Sequence, residues 1–569
     1  MTFNEYKYQR PNLETIEKEF KKAVEIIENS NDLDEVINTI KHINHVRDDF
    51  ESMQSLASIR NTIDTLDEFY EAEQLFFDEN SPLFIGYINE FSKALVACKY
   101  ISKLEKEFGK LWFEMIRQSL KTFDISIVNL LQEENKLTTK YTKVVAGAKI
   151  EFDGKINNLS QMRIYGESKD RETRKQAEAK VMEFFSENEQ ELDNIYDSLV
   201  KVRTQIAKQL GFENFTKLGY ARLGRLDYDD KDVANYRKQV YEDLVPIVNK
   251  VYEKKAKLLG IEDLKSYDLG LGFKTGNPTP KGDKAWMVER ASKMYHEMSK
   301  ETGEFFDFMN EHQLMDLEAK AGKAGGGYCT YIPSYKSPFI FANFNGTSGD
   351  VEVLTHEAGH AFQVFSSRGF DVPEYRWPTL EACEIHSMSM EFLAWPWMKD
   401  FFLDDIDKFK YSHLLGTITF IPYGVLVDEF QHEVYNNPEI SVEQRKQIWR
   451  KLEKKYLPYK VYDNEMLEKG TYWYRQGHIF QDPFYYIDYT LAQVCAQQFW
   501  IKDQESHENA WNDYYRLCCQ GGSKSFLELL KVANLKNPFI DGTVKYVVGH
   551  LQKWLEAIDE EKIDKWNFQ

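Results

Sequence analysis

The chain has 569 residues, enough for several domains or for one large enzyme with an extensive hydrophobic core. Its formal net charge of −20 repels phosphate backbones and anionic lipid, so we expect neither a nucleic-acid partner nor a membrane partner. The 6 cysteines form no CxxC pair, and the sequence shows neither a signal-peptide pattern nor an apolar run that could span a bilayer. These features predict a cytoplasmic protein and leave its oligomeric state open.

The first 140 residues have the pattern of consecutive amphipathic helices. Pro and Gly are scarce throughout the chain, at 15 and 30 residues, so few positions interrupt helical structure. Apolar residues recur at spacings of three and four behind candidate helix caps at Asn12 and Asp32. We therefore predict a mainly α fold with an N-terminal helical region over residues 1–140.

The helical pattern is interrupted in two places. Alternating residues on either side of Asp153-Gly154 predict a small β-hairpin, after which helix resumes over about residues 168–211. The second interruption, residues 322–350, is rich in Gly and Pro and contains the run Phe339–Phe344, the strongest strand-like segment in the chain. A further helix is predicted directly after this segment.

That helix carries the motif His356-Glu357-x-x-His360. Residues four apart lie one turn apart on the same helix face, so both imidazoles can bind one Zn²⁺ while Glu357 stands beside the open coordination position. Apolar residues flank the motif, which predicts that the helix is buried. Buried His and Glu side chains need partners, and a metal ion supplies them.

A catalytic zinc has three protein ligands and one open position. The segment 378–393 is predicted to form a second helix, which presents Glu381, Glu384 and Glu391 on one face, whereas Cys383 points elsewhere. Spacing favours Glu384 or Glu381 as the third ligand and does not choose between them.

The segments HEAGHAFQ and EIHSMSMEF, which begin at His356 and Glu384, resemble those of the thimet oligopeptidase and oligoendopeptidase F family of zinc metallopeptidases. The similarity is closest to the bacterial oligoendopeptidase F and Pz-peptidase branch. It implies that Glu384 is the third ligand of one Zn²⁺ per chain. It also implies a large helical peptidase with two lobes around a deep channel that admits oligopeptides, and a small β-sheet beside the metal-binding helix. The catalytic region would cover residues 141–569, with its zinc-site core at about 322–500.

The segment from Tyr472 to Ala492 is dense in aromatic residues and is, by itself, typical of a protein core. The family has a histidine followed by two tyrosines on a segment that faces the zinc, and His478, Tyr486 and Tyr489 match this pattern with a one-residue shortening. The shortening leaves Tyr485 as an alternative to Tyr486. The resemblance implies that Tyr489 stabilises the oxyanion, assisted by His478 and Tyr486.

Together these residues predict hydrolysis of internal peptide bonds, in which Glu357 takes a proton from water and later carries it to the leaving amine. We expect the strand Phe339–Phe344 to have an exposed edge, to which an extended peptide adds through main-chain hydrogen bonds. A glycine-rich loop before it would let the peptide backbone approach closely. The expected substrate contacts are Phe341, Asn343, Gly327 and Tyr328.

Two other interpretations use part of the same motif. Glu357-x-x-His360 and Glu429-x-x-His432 resemble the paired motifs of di-iron carboxylate bundles, in which two further glutamates complete the site. A helical binding protein with a structural zinc would instead need four protein ligands, for which Cys383 is the nearby thiol. Both alternatives depend on which side chains the fold brings together.

Overall fold

The computed structural model describes residues 1–320 and 322–565. Helices account for 72% of the structure and the sheets are small, which confirms the predicted mainly α fold. Over the described ranges, none of the helices combines the length and the apolar character that a membrane-spanning segment requires.

The N-terminal part of the chain is helical from Leu13 onwards. The Asn12 side chain accepts a hydrogen bond from the Thr15 N–H, and the Asp32 carboxylate accepts one from the Asp34 N–H, so both predicted caps are present. The first five helices, together with Val372 and Tyr375, bury a second apolar core around Phe20, Ile40 and Trp112. The helices are α1 (Leu13–Asn29), α2 (Leu33–Ile63), α3 (Glu68–Ala97), α4 (Ile101–Phe108), α5 (Lys110–Thr122) and α6 (Val128–Ala146).

A short hairpin separates these helices from the next group. Strands β1 (Ile150–Phe152) and β2 (Lys155–Asn157) pair antiparallel, and their turn residues have the positive φ values of 54° and 70° that an Asp-Gly turn accommodates. Helix resumes as predicted, although Asn188 divides it into two. The helices are α7 (Leu159–Gly166), α8 (Arg171–Glu187), α9 (Glu189–Gln209), α10 (Phe215–Arg222), α11 (Asp230–Gln239), α12 (Val245–Leu259), α13 (Lys284–Met298) and α14 (Lys300–Glu311).

The second sheet has three strands, β3 (Met315–Glu318), β4 (Tyr328–Ile332) and β5 (Ser337–Phe344), in the order β3-β5-β4. Strand β5 pairs parallel with β3 and antiparallel with β4, so both of its edges are occupied. The prediction of an exposed edge on Phe339–Phe344 is therefore wrong. Strand β4, which pairs with β5 on one side, is the edge strand that follows the glycine-rich loop.

The motif helix α15 (Gly349–Ser367) begins directly after β5, because the Asp350 carboxylate binds the main-chain N–H groups of Asn345 and Gly346 and closes the connecting loop. Helix α16 (Leu380–Leu393) packs against both α15 and α22. The remaining helices are α17 (Lys399–Phe402), α18 (Ile406–Asn436), α19 (Val442–Tyr456), α20 (Glu465–Glu468), α21 (Gly477–Gln481), α22 (Tyr486–Glu505), α23 (His507–Gln520), α24 (Phe526–Val532), α25 (Thr543–Glu556) and α26 (Glu560–Lys565).

One buried and one partly buried ion pair connect helix α2 to the segment between α15 and α16. The Arg376 guanidinium makes two hydrogen bonds to the Asp48 carboxylate, at 2.6 and 2.9 Å, and both residues are 8% exposed. Arg47 binds Glu374 beside them, at 2.7 Å. A buried two-point ion pair of this kind fixes the position of one segment on the other, because leaving either charge unpaired is unfavourable.

We expect Asp48→Ala to destabilise the protein by about 3 kcal/mol or more, because it leaves the Arg376 charge buried without its partner. Glu90→Ala is the control, since the Glu90–Lys93 pair is exposed and such pairs contribute little. Denaturant unfolding should show a lower midpoint for Asp48→Ala alone. Equal midpoints for the two variants would contradict a structural role for the buried pair.

Candidate active site

The site depends on a close approach between helices α15 and α16. A Cβ atom on Gly359 would lie 2.7 Å from both the His386 carbonyl oxygen and the Ser387 Cα atom, which is closer than such atoms pack. Only a residue without a side chain allows this contact. The contact brings the side chains of one turn of α16 against the histidines of α15.

Three candidate ligands meet at this contact. The Glu384 Oε2 atom lies 3.3 Å from the His356 Nε2 atom and 3.5 Å from the His360 Nε2 atom. All three ligand atoms lie within 4.8 Å of one another. Two ligands of a tetrahedral Zn²⁺ with bonds of about 2.0–2.1 Å are separated by about 3.3 Å, so the observed spacing fits one such ion. Two imidazoles and one carboxylate are also a donor set of catalytic zinc sites.

A chain of hydrogen bonds to the Nδ1 atom of His356 orients its ring. The Glu391 carboxylate lies 2.7 Å from both the His356 Nδ1 atom and the His413 Nε2 atom, and the Trp395 indole N–H donates to the His413 Nδ1 atom. Because an indole can only donate, His413 places its own proton on Nε2 and both imidazoles donate to Glu391. Nδ1 of His356 is then protonated, which leaves its Nε2 lone pair free to bind a metal.

Burial would raise the pKa of Glu391, but the hydrogen bonds from His356 and His413 outweigh it and lower the pKa to about 2. The carboxylate is therefore ionised and accepts both bonds. The sequence placed Glu391 on the same helix face as Glu384 and Glu381, but helical spacing does not reveal its two histidine partners. His413, which comes from the distant helix α18, carried no sequence signal.

The structure distinguishes Glu384 from Glu381, the two residues that helical spacing left as candidates for the third ligand. Glu384 lies with the imidazoles, and its carboxylate accepts hydrogen bonds from the Ser387 hydroxyl at 3.0 Å and the Tyr485 hydroxyl at 2.9 Å. Glu381 is buried elsewhere, where the Thr379 hydroxyl binds it and the Arg225 charge is close. Helix α16 turns Glu384, rather than Glu381, towards α15.

Glu357 lies on α15 beside the ligands and close to the start of strand β4. Burial raises the pKa of its carboxyl, although the neighbouring imidazoles oppose this shift. A Cβ atom on Gly327 would lie 3.7 Å from the Glu357 Oε1 atom and 3.5 Å from the Val353 side chain. The absence of a side chain at Gly327 therefore keeps the space beside the Glu357 carboxylate open.

His478 and Tyr489 form part of a wall that α21 and α22 contribute. The Tyr423 hydroxyl donates to the Gln476 side-chain oxygen, and the Gln476 NH₂ donates to the His478 Nδ1 atom at 2.8 Å. The Tyr489 hydroxyl lies 3.5 Å from the His478 Nε2 atom. Burial lowers the pKa of His478, so its ring is neutral and carries its proton on Nε2.

The three tyrosines of this wall, Tyr485, Tyr486 and Tyr489, differ in their contacts. Burial and the Glu384 charge raise the pKa of Tyr485 and of Tyr489, so both phenols remain protonated donors. Tyr485 contacts Glu384 directly, whereas the Tyr486 ring lies against Phe420 and Tyr423. The shortened segment left both Tyr485 and Tyr486 as matches to the family tyrosine. Of these two residues, Tyr485 is the one that touches a candidate ligand.

The residues predicted to contact the substrate lie in different surroundings in the structure. Phe341 is fully buried in the central strand, so its prediction as a substrate contact is wrong. The Asn343 amide donates to the main-chain oxygens of Ala324 and Gly326 and thereby holds the glycine-rich loop. The Tyr328 ring stacks on Phe341 and its hydroxyl lies 2.6 Å from that of Thr62, so its side chain faces the N-terminal helices.

The ligand sets of the two alternative interpretations are not assembled in the described ranges. Glu429 binds Lys455 and Tyr456, and His432 lies 3.1 Å from the Tyr220 hydroxyl. The Cys383 thiol donates to a main-chain oxygen instead of facing the imidazoles. Within residues 1–320 and 322–565, the trio His356, His360 and Glu384 is the group with metal-binding geometry. The di-iron and four-ligand zinc hypotheses are therefore wrong.

Comparison with known proteins shows the family of the chain. Residues 3–123 match the Peptidase M3 N-terminal domain, and residues 164–274 and 282–547, more than half of the chain, match Peptidase family M3. The chain belongs to peptidase family M3. It is therefore a peptidase, and the predicted resemblance of the chain to the oligoendopeptidase F and Pz-peptidase branch is confirmed.

Individual M3 relatives cover most of the chain. A structure of PZ peptidase A with an inhibitor is 54% identical, with a TM-score of 0.95 over 98% of this chain and 100% of that one. A Bacillus anthracis protein provisionally assigned as an oligoendopeptidase F is 52% identical, with a TM-score of 0.91 over 99% of both chains. An oligoendopeptidase F homologue of Borreliella burgdorferi is 25% identical over 74% of each protein.

The helix contact predicts that Gly359→Ala weakens metal binding by about tenfold or more, because the added methyl group moves α16, and with it Glu384, away from the imidazoles. Gly86→Ala in helix α3 is the matched control, because a Cβ atom there meets no other atom within 4 Å. Chelator competition measures the zinc affinity of both variants. Equal affinities would show that the close approach does not position the third ligand.

Proposed function

We propose that this M3 peptidase is a zinc-dependent endopeptidase that hydrolyses internal bonds of oligopeptides. The observation that carries the proposal is the spacing of His356, His360 and Glu384 around one point, with the Glu357 carboxylate beside it. The names of its relatives, oligoendopeptidase F and PZ peptidase A, support an oligopeptide substrate.

The proposed ligands of one Zn²⁺ are His356, His360 and Glu384. A zinc ion held by them would supply Lewis-acid polarisation of the substrate carbonyl and would lower the pKa of the attacking water towards neutrality. The protein fixes the ligand geometry through Glu391, which holds the His356 ring, and through Ser387 and Tyr485, which hold the Glu384 carboxylate.

Glu357 is the proposed general base and acid. Its carboxylate takes the proton from the attacking water, and the same carboxyl then delivers that proton to the nitrogen of the leaving amine. A raised pKa suits the first step, because a more basic carboxylate accepts the proton more readily. The open space at Gly327 lets the main chain of a substrate come close to this carboxylate.

Tyr489, assisted by His478, is the proposed donor to the carbonyl oxygen as it becomes negatively charged. Because Gln476 donates to the His478 Nδ1 atom, the His478 Nε2–H points towards Tyr489 and the Tyr489 hydroxyl proton is free to bind a substrate oxygen. Tyr485 holds the carboxylate ligand, and Tyr486 supports the wall through its ring contacts. Donors of this kind stabilise the transition state because they are fixed before the charge develops.

We place the substrate along strand β4 rather than β5, since β4 is an edge strand and begins at Tyr328, next to the glycine that lies beside the Glu357 carboxylate. An extended peptide adds to such an edge through main-chain hydrogen bonds, which tolerates varied side chains. A two-lobed arrangement, with residues 1–140 and 141–569 on either side of a channel, would restrict access to short peptides. A cytoplasmic location would suit this role in peptide breakdown.

Glu357→Gln should abolish hydrolysis of a quenched peptide while leaving one zinc per chain, because the amide cannot accept the proton but the ligands are intact. Glu384→Ala should lose both zinc and activity, because it removes one of three ligands. Metal analysis and turnover are measured on the same preparations. If Glu357→Gln retains full turnover, the proposed mechanism fails, and if Glu384→Ala keeps stoichiometric zinc, the ligand assignment fails.

Tyr489→Phe should lower kcat by about a hundredfold or more, because removal of one oxyanion donor typically costs ~2.7–4 kcal/mol of transition-state stabilisation. Zinc content should not change, since no hydrogen bond joins Tyr489 to a ligand among the described residues. Tyr546→Phe in helix α25 is the control, because it removes the same hydroxyl group from an exposed side chain outside the site. Equal kcat values for these two variants would exclude Tyr489 as the main donor.

A further inference from the structure

The residue before the tyrosines has an unusual backbone conformation. Phe484 has a φ of 68°, in the left-handed region that bulky residues rarely adopt. It lies between Pro483 and the start of α22, directly before Tyr485. Such a conformation persists only when surrounding contacts hold it, and it often occurs where the direction of a functional segment is set.

Two side chains from other parts of the chain bind the main chain of Phe484. The Gln431 side-chain oxygen accepts a hydrogen bond from the Phe484 N–H at 3.0 Å. The Arg225 guanidinium donates to the Phe484 carbonyl oxygen at 2.7 Å and, through the same nitrogen, to the Asp488 carboxylate at 2.6 Å. Gln431, Arg225 and Asp488 are all buried. The guanidinium thus joins the left-handed residue to the first turn of α22.

The Phe484 ring is also fixed in place, by close packing. It is fully buried against α10 and α18, with its centroid 4.9 Å from that of His432. A Cβ atom on Gly219 would lie 2.6 Å from the ring. Glycine at this position therefore provides the space that the ring occupies, and a larger residue would displace it.

We propose that Arg225 and Gln431 are positioning residues, which hold Phe484 in its left-handed conformation and thereby set Tyr485 and Tyr489 against the metal-binding trio. From this turn, the Tyr485 hydroxyl reaches Glu384 and the Tyr489 hydroxyl reaches His478. If Phe484 relaxed to negative φ, the chain would enter α22 in another direction and both hydroxyls would move. The inference rests on the proposed function, because it assigns these tyrosines to the reaction.

The first test displaces the Phe484 ring without changing any polar group. Gly219→Ala places a methyl group against Phe484, and Gly549→Ala in helix α25 is the control, because a Cβ atom there meets nothing within 4 Å. We expect Gly219→Ala to lower kcat at least tenfold, with KM and zinc content unchanged, and the control to match the unmodified protein. Adding Phe484→Leu to Gly219→Ala should restore part of the lost kcat, since leucine has no Cε2 atom and its two methyl groups, unlike a planar ring, can rotate away from the added methyl group.

Gln431→Met gives a second route to the same result, because it removes the acceptor of the Phe484 N–H at similar volume. It should lower kcat with unchanged KM and zinc content, and circular dichroism shows that each variant is folded at the assay temperature. The positioning role is overturned if folded Gly219→Ala and folded Gln431→Met both retain the kcat of Gly549→Ala. If the unmodified zinc-loaded protein hydrolyses no peptide, it is the proposed function that fails.

Discussion

The contact between helices α15 and α16 at Gly359 determines whether the candidate site exists. Two histidines one turn apart on α15 offer two nitrogen ligands, but they bind an ion tightly only if a third ligand arrives from another element. The backbone of α16 lies so close to Gly359 that the Glu384 side chain, without extending far, reaches both imidazoles. The other polar groups of the site, described next, hold these three ligands in place.

The surroundings hold the ligands from two directions. On one side Glu391 and His413 fix the proton of His356 on Nδ1. On the other side Tyr485 comes from a segment whose direction depends on the left-handed Phe484. The site therefore combines a rigid helix pair with a turn held by buried side chains, and a displacement in either part alters the distance between the ligands and the tyrosine wall.

The sequence predicts the metal-binding helix and the strand Phe339–Phe344 well, but it does not predict how that strand pairs, for physical reasons. Helical periodicity is local, so the shared face of His356 and His360 can be derived from spacing alone. The position of β5 between two partners is not local, because its parallel partner β3 is a four-residue strand that only the folded chain brings alongside. The choice of Glu384 over Glu381 likewise depends on how two helices dock.

The tyrosine segment shows the same limit. Its residue types predict donors, but whether Tyr485 or Tyr486 faces the ligands depends on the backbone at Phe484, and a left-handed phenylalanine has no sequence signature. The positioning residues Arg225 and Gln431 are far away in the sequence and act on the main chain, so no motif contains them.

Anomalous diffraction at the zinc absorption edge, from crystals of the zinc-loaded protein, tests the central claim most directly. We predict one strong peak per chain, about 2.0–2.2 Å from the Nε2 atoms of His356 and His360 and from the Glu384 carboxylate. Absence of a peak between these three side chains, or full occupancy at another place in the chain, would contradict the account.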